Sequence, residues 1–427
     1  MAKDENDVTN VADILKSHFG IDRMMESRAE RRSTLAQERR EQRSVDWGNA
    51  QASENVQPNI KVIYEQVPGT ASVPNESAFD NKCPSCGGTL AFDPATGKLS
   101  CSFCGREEVL QTAPAEPEKG YSLYDLQNNR GRRLQTTDKI IVCGTCGGNF
   151  ITESSAISGL CPYCGSNSIT VTGDATGTLE PTGVIPFKIG KEEAQNIFRE
   201  WINKRRLSPK DIVKDSQITD LTGIYAPYWV FDCDTYTPYE GKFGRYTGGE
   251  DSYTQYHQSS NVCELHFRDL TFVASSRLEK DSYWKTVSRF DMSAAQKYDP
   301  NLLAGFWSES YSADGPATWQ KACTKIYDRI RRKIKSIEDA DVIGKINMQP
   351  QATNIRAKYI LAPVWITSFD YHGKLYRVLI NGQTGDIVGT WPKSYKSFWL
   401  IIAIIVIITL FYAYILVRIL PYSPYSP

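Results

Sequence analysis

The chain has 427 residues, enough for roughly two to four domains. Lys plus Arg and Asp plus Glu stand at 49 each, so the net charge is zero and no global field steers the protein toward a polyanion. The hydrophobic fraction of 41% is ordinary for a soluble protein but is unevenly placed along the chain.

Residues 1–80 read as a charged N-terminal arm and linker. The start, "MAKDENDVTNV", has no apolar core segment, so no secretory signal is predicted. Val11, Ile14, Leu15 and Phe19, between Asn10 as cap and Gly20 as stop, predict one short helix. Arg23 to Arg43 holds seven Arg against four Glu without a sustained apolar stripe, and reads as a solvated helix or disordered arm. Residues 49–80 are polar and read as linker.

Two Cys-rich units follow, 81–110 and 141–172, separated by a connector at 111–140. Cys83, Cys86, Cys101 and Cys104 repeat as Cys143, Cys146, Cys161 and Cys164 at a constant offset of sixty, an internal duplication. In each unit two Cys-x-x-Cys pairs stand fourteen residues apart, and a glycine follows each pair. Four thiolates close a tetrahedral zinc site with no open position, so the chemistry implied is two structural Zn2+ ions. Units this small cannot bury a core of their own; zinc contributes on the order of 10 kcal/mol to such folds. The expected form of each is a zinc ribbon, with a β-hairpin between two knuckles whose glycines (87, 105, 147 and 165) take positive φ.

Zinc ribbons often touch nucleic acid, but the local charge argues otherwise. Lys82 to Leu110 has Lys82, Lys98 and Arg106 against Asp93, Glu107 and Glu108, and Ile141 to Thr172 carries only Glu153. A four-thiolate zinc centre adds two negative charges, which repel phosphates. The basic cluster in the connector, Arg130 to Arg133, reads as an exposed loop.

From 183 to 392 the pattern is that of an α+β domain with an antiparallel sheet. A helix is expected through Ala194, Ile197, Phe198, Trp201 and Ile202, and a second over about 316–336 through Trp319, Cys323, Ile326, Tyr327, Ile330 and Ile334. The segments around "GIYAPYWVF" and "LAPVWITSF" read as strands, with turns at "YHGK" and "NGQTG". "APYW" and "APVW" each follow a helix and precede a Gly-Lys pair (Gly241-Lys242, Gly373-Lys374), which suggests two helix-then-hairpin halves. The proline in each strand points to a sheet edge or a bulge. Cys233 and Cys323 read as core residues, and Cys263 and His266 as strand neighbours facing opposite ways. Asp232 and Asp234 read as an exposed face. No P-loop, Gly-x-Ser-x-Gly or His-Glu-x-x-His motif is present, and no catalytic residue is assigned.

Residues 398–417, "FWLIIAIIVIITLFYAYILV", carry no charge and are long enough to span about 30 Å. They predict one C-terminal transmembrane helix and a tail-anchored protein. Lys393 and Lys396 on its N-terminal side, and the reduced thiols that metal ligation needs, place the N-terminal bulk in the cytoplasm at the cell membrane.

The order of parts resembles a family of bacterial membrane-anchored zinc-ribbon proteins. It is carried by the two ribbons, "IPFKIGKEEAQNIFREW", "APYWVFD", "LAPVW", "NGQTG" and the terminal apolar run. Such proteins are labelled TFIIB-type, or as relatives of the primosomal replication-restart helicase, on the ribbons alone; a helicase motor has no matching residues here. The resemblance implies recruitment of a peripheral protein in membrane stress of the phage-shock type. The expectation is a non-enzymatic, membrane-anchored scaffold that binds an unidentified cytoplasmic or membrane protein. The alternative is a nucleic-acid-binding factor of replication or transcription. An enzyme with its site in 183–392 is the third reading.

Overall fold

Two long antiparallel strands, Thr222–Tyr246 and Gln351–Tyr371, form the spine of the protein. They belong to a computed structural model that describes residues 59–64, 82–110, 119–134, 136, 138–152, 160–205, 208–209, 212, 221–247, 254–372, 374–393 and 395–419. Ile60–Pro427 form one compact unit. The helix and the arginine run expected before residue 59 lie outside the described residues.

In chain order, β1 (Lys61–Val62) precedes the first Cys-rich unit, which comprises β2 (Leu90–Asp93), β3 (Lys98–Cys101) and β4 (Glu107–Val109). The connector forms β5 (Tyr121–Ser122) and α1 (Leu123–Gln127). The second unit forms β6 (Lys139–Cys143), β7 (Asn149–Thr152) and β8 (Ile169–Asp174). Then come β9 (Gly183–Val184), α2 (Lys191–Asn203), β10 (Thr222–Tyr246), β11 (Thr254–Val273), α3 (Ser276–Glu279), α4 (Trp284–Val287), β12 (Gln296–Lys297) and β13 (Trp307–Glu309). The last part holds α5 (Gly315–Ile337), β14 (Val342–Met348), β15 (Gln351–Tyr371), β16 (Lys374–Asn381), β17 (Ile387–Gly389) and α6 (Tyr395–Ile419).

Both expected amphipathic helices form. α2 buries Ala194, Phe198, Trp201 and Ile202, and α5 buries Trp319, Cys323, Ile326, Ile330 and Ile334. Asp314 caps α5 by accepting a hydrogen bond from the Ala317 N–H at 2.7 Å. The "YHGK" turn joins β15 to β16, with Tyr371 opposite Lys374. The "NGQTG" turn joins β16 to β17, and Asn381 Oδ1 accepts from the backbone of Gln383 and Thr384.

Three expectations need correction. Gly241-Lys242 is not a turn, because β10 runs straight through it, paired with β11 on one side and β14 on the other. The prolines mark neither an edge nor a bulge. Pro227 sits between the end of β13, which pairs with Ile224 and Tyr225, and the end of β11 opposite Tyr228. Pro363 sits between β9, which pairs with Ile360 and Leu361, and β16, which begins opposite Val364. Each proline occupies the seam where one neighbouring strand gives way to the next, so its missing N–H interrupts no ladder. Their carbonyls still accept, from the Ala274 N–H at 2.8 Å and the Gly382 N–H at 2.9 Å. Finally, Lys61 and Val62, placed by composition in a linker, pair as β1 in parallel with β15.

The pairing is the same in both halves. Ala226 lies opposite Ala362, an approximate local twofold centre for β10 and β15. Trp229 donates its indole N–H to the Ala313 carbonyl at 2.9 Å, two residues before α5. Trp365 donates to the Ile189 carbonyl at 2.9 Å, two residues before α2. Each half thus holds the entry to the other half's helix.

β10 is buried on both faces from Gly223 to Phe231, which explains its continuous apolar run. Side chains alternate between two cores. Tyr225, Trp229, Phe231 and Cys233 join one core with α2, α5 and Leu90, Phe92 and Leu99 of the first Cys-rich unit. Ile224, Ala226, Tyr228 and Val230 join the other with Trp284, Val287 and Cys143, Phe150, Cys161 and Tyr163 of the second unit.

α6 occupies the place where a membrane span is expected. Among the described residues no helix is long and apolar enough to cross a membrane.

Trp229→Phe and Trp365→Phe each remove one indole bond and leave a carbonyl short of a partner. We expect each to lower unfolding stability by about 1–3 kcal/mol in urea titrations. Changes below about 0.5 kcal/mol in both would argue against the reciprocal bonds.

Candidate metal centres

The eight expected cysteines form two groups of four, Cys83, Cys86, Cys101, Cys104 and Cys143, Cys146, Cys161, Cys164, with the sulfurs of each group within 4.8 Å of one another. All eight are free thiols. The closest sulfur pairs stand at 3.6 Å (Cys83–Cys104), 3.5 Å (Cys86–Cys101), 3.7 Å (Cys143–Cys164) and 3.6 Å (Cys146–Cys161). Four sulfurs at the roughly 2.3 Å bond length of a tetrahedral zinc thiolate stand about 3.8 Å apart. Each group is therefore already near the size of a single tetrahedral ion, with two knuckles contributing two sulfurs each.

The knuckles share one backbone device. The N–H of Gly87, Gly105, Gly147 and Gly165 bonds the carbonyl of Cys83, Cys101, Cys143 and Cys161 at 2.8–2.9 Å. These glycines have φ between 68° and 72°, the left-handed region in which a side chain is strained. The turn bends the chain back so that both thiols face one point.

The two units use different strands. In the first, β2 and β3 form the expected hairpin between the knuckles, and β4 pairs with β3. In the second, β6 and β7 flank the first knuckle, β8 pairs with β6, and residues 153–159 of the spacer lie outside the described residues. β7 pairs with β13, which pairs with β10, so the second unit continues the main sheet. The first unit docks through the Phe92 N–H on the Ala304 carbonyl at 3.0 Å, beside the Leu302 carbonyl that accepts from Tyr225 OH at 2.9 Å.

The thiols are electrostatically frustrated as they stand. Backbone N–H groups of Cys104 and Phe103 hold Cys101 down to about 6. A hydrogen bond from the Cys161 thiol, with help from the Gly148 N–H and the Arg277 charge, holds Cys146 down to about 4 against burial. Cys86 is lowered by the Gly88 N–H, but the Cys101 and Cys104 sulfurs drive it up to about 12. Cys161 is raised by its contact with Cys146 and by burial. Four sulfurs this close cannot all ionise against one another; a divalent cation removes the conflict. Both groups are thus able to bind a metal ion.

Composition did not point to the polar anchor beside the second group. Glu309 is buried on β13, with Oε2 accepting from Tyr163 OH at 2.5 Å and Oε1 from Ser275 Oγ at 2.6 Å. The Arg277 guanidinium lies 3.8 Å over the Tyr163 ring. Burial pushes the Glu309 carboxyl up to about 7, against its two hydrogen bonds and the Arg277 charge. The only sequence hint was the Tyr inside the "CPYC" knuckle.

The other candidates fall elsewhere. Cys263 is buried, while His266 is exposed and bonded to Asp234 at 2.8 Å. Cys233 and Cys323 are in the core. Asp232 and Asp234 are not a bare exposed face. Asp232 pairs with Lys358 at 2.7 Å and Asp234 with Arg268 at 2.8 Å, both partly buried beside bulges in the β10 pairings. In the connector, Arg133 donates to the Gly177 and Asn129 carbonyls, and Arg132 lies 3.9 Å from Glu180.

The chain is 30% identical to the uncharacterized protein YdjG of Bacillus subtilis strain 168 over 321 residues, 73% of this chain and 90% of that protein. No family model and no solved structure matches the chain.

Protein purified without chelator is expected to carry two equivalents of thiolate-bound metal, and Cys104→Ser and Cys146→Ser to lose one each by elemental analysis. Two equivalents retained in either variant would break the assignment of one ion per group. Glu309 has a raised folded pKa, so its contribution to stability is greatest below its unfolded value near 4.5 and is lost as pH rises toward 7. Glu309→Gln should therefore gain on the wild type between pH 5 and pH 8, on the order of 2 kcal/mol in paired urea titrations. A difference independent of pH would show that the carboxyl stays charged.

Proposed function

The chain belongs to the family of the Bacillus subtilis protein YdjG, and we propose from its own residues that it is a non-enzymatic scaffold, anchored at the cytoplasmic face of the cell membrane, that holds a protein partner through its zinc-stapled surface. The observation that carries this reading is the ligand count. Each metal group has four cysteine sulfurs at tetrahedral spacing, and four protein thiolates leave no position for a substrate or an activated water. Zinc is the ion favoured by four soft thiolates. Its work here is structural: it holds two small units against opposite faces of the β10–β15 sheet. Outer parts of the first unit then remain available to a partner; Phe103, inside its second knuckle, is 78% exposed.

The anchor is argued from α6. Ile405, Ile407, Ile408, Leu410 and Phe411 are all more than half exposed, so apolar side chains point outward all round the helix. Such a surface is costly in water and favourable in lipid. The uncharged run 398–417 supplies the length that a span needs.

The test is recovery of partners from native membranes with the full-length protein and with a Cys83→Ser, Cys86→Ser, Cys143→Ser, Cys146→Ser variant. We expect the wild type to fractionate with membranes and resist alkaline extraction, and to retain a defined protein that the variant loses. Extraction at high pH would end the anchoring claim. Absence of any cysteine-dependent partner would end the scaffold claim.

A further inference from the structure

Among the described residues β11 is an edge strand. The strand runs for 20 residues and pairs with β10, and among the described residues no strand pairs with its other edge. A free edge of this length exposes backbone donors and acceptors that can template an added strand. β11 contains no proline and its first ten residues carry no Lys, Arg, Asp or Glu, whereas its second half holds Glu264, Arg268 and Asp269 and an irregularity in its pairing with β10 at Arg268–Asp269.

α5 runs along β11 in the opposite sense. Lys321 and Lys325 border Thr271–Val273 in an open groove of about 460 Å³, and Lys325 Nζ lies 4.1 Å from the Phe272 ring centre. At the other end Glu338, which caps α5, bonds Ser259 at 3.0 Å and His257 at 3.3 Å. Between these ends Lys325, Arg329 and Lys333 recur at every fourth residue, all exposed. They therefore share one flank of the helix. Among the described residues none of the three has a carboxylate in ion-pair contact, whereas Lys321 is held by Glu279 at 2.7 Å.

We propose that the edge of β11 takes an extended acidic segment of a partner protein as an added strand, with its carboxylates seated on the Lys325–Arg329–Lys333 row. The spacing supports this. Every fourth helical residue advances about 6 Å, and alternate residues of a strand advance about 6.7 Å. Acidic side chains at alternate positions thus meet the row nearly in step, and the long Lys and Arg side chains absorb the remainder. A second copy of this chain is disfavoured as the occupant. Antiparallel self-pairing of β11 would relate the copies by a twofold axis normal to the sheet, which would bring two cationic rows together on one face. A flat anionic membrane would neutralise the row without using the strand edge.

This surface rests on the scaffold reading and names the partner chemistry for it. The test uses the full-length protein in detergent and three labelled nine-residue peptides, read by fluorescence anisotropy. One alternates Thr and Glu, one alternates Thr and Gln, and one is the Thr-Glu sequence with every backbone amide N-methylated. The Thr-Glu peptide is expected to bind at least tenfold more tightly than either control, and Arg329→Glu with Lys333→Glu to weaken it at least tenfold at an unchanged melting temperature. If that pair perturbs folding, Arg329→Gln with Lys333→Gln is read in its place, with at least a threefold loss expected. Equal binding of the N-methylated peptide would overturn strand addition, and an unchanged affinity in the variants would overturn the role of the row. Binding of phosphatidylglycerol vesicles through the row, with no peptide binding, would assign it to the membrane and overturn the proposal. Partner recovery from membranes that survives in the Arg329/Lys333 variant would also overturn it while leaving the scaffold standing. Loss of the partner only in the cysteine variant would separate the two claims in the same way.

Discussion

The structure depends on one reciprocal contact. β10 and β15 cross at Ala226 and Ala362, and just beyond the crossing each sends a tryptophan across to the carbonyl that leads into the other half's helix. A buried indole N–H without a partner is costly, as is a buried carbonyl. Satisfying both at once fixes where α2 and α5 begin relative to the sheet. The small alanines let the strands pair closely at the centre. The prolines beside them cost no ladder bond because each lies at the seam between two successive neighbours.

That central pair also sets the places of the Cys-rich units. Because β10 is buried on both faces, it needs cover on both. The odd-numbered side chains are covered by α2, α5 and the first unit, and the even-numbered ones by α4 and the second. The units are therefore part of the core packing as well as candidate metal sites. Metal binding should in consequence couple to the stability of the sheet, most directly through the second unit, whose Tyr163 reaches Glu309 on the strand beside β10.

The candidate site was legible in part. Cysteine ligation imposes its own spacing, so eight residues could be assigned to two groups from the chain alone, and the glycines at positive φ followed from the tightness of each turn. Helix faces were legible too, because period 3.6 is written into Ala194, Phe198 and Trp201 and into Trp319, Ile326 and Ile330. The β10 hairpin was misplaced at Gly241-Lys242 because a Gly-Lys pair looks like a turn wherever it stands. There the glycine serves close approach: a Cβ on Gly241 would come within 3.0 Å of the Lys345 carbonyl on β14.

What the sequence by itself determined was local chemistry: which thiols gather into one group, which residues face one side of a helix, and where a long uncharged run lies. These depend on neighbours within one turn, one knuckle or one helical repeat. Only the tertiary structure decided that the two Cys-rich units cover opposite faces of one sheet, that Glu309 is buried beneath Tyr163, and that a basic row on α5 runs along β11. Glu309 and Tyr163 are 146 residues apart, and no local pattern encodes a contact of that separation. It arises because a strand buried on both faces draws distant segments together, and the cost of leaving their polar groups unpaired then selects which ones meet.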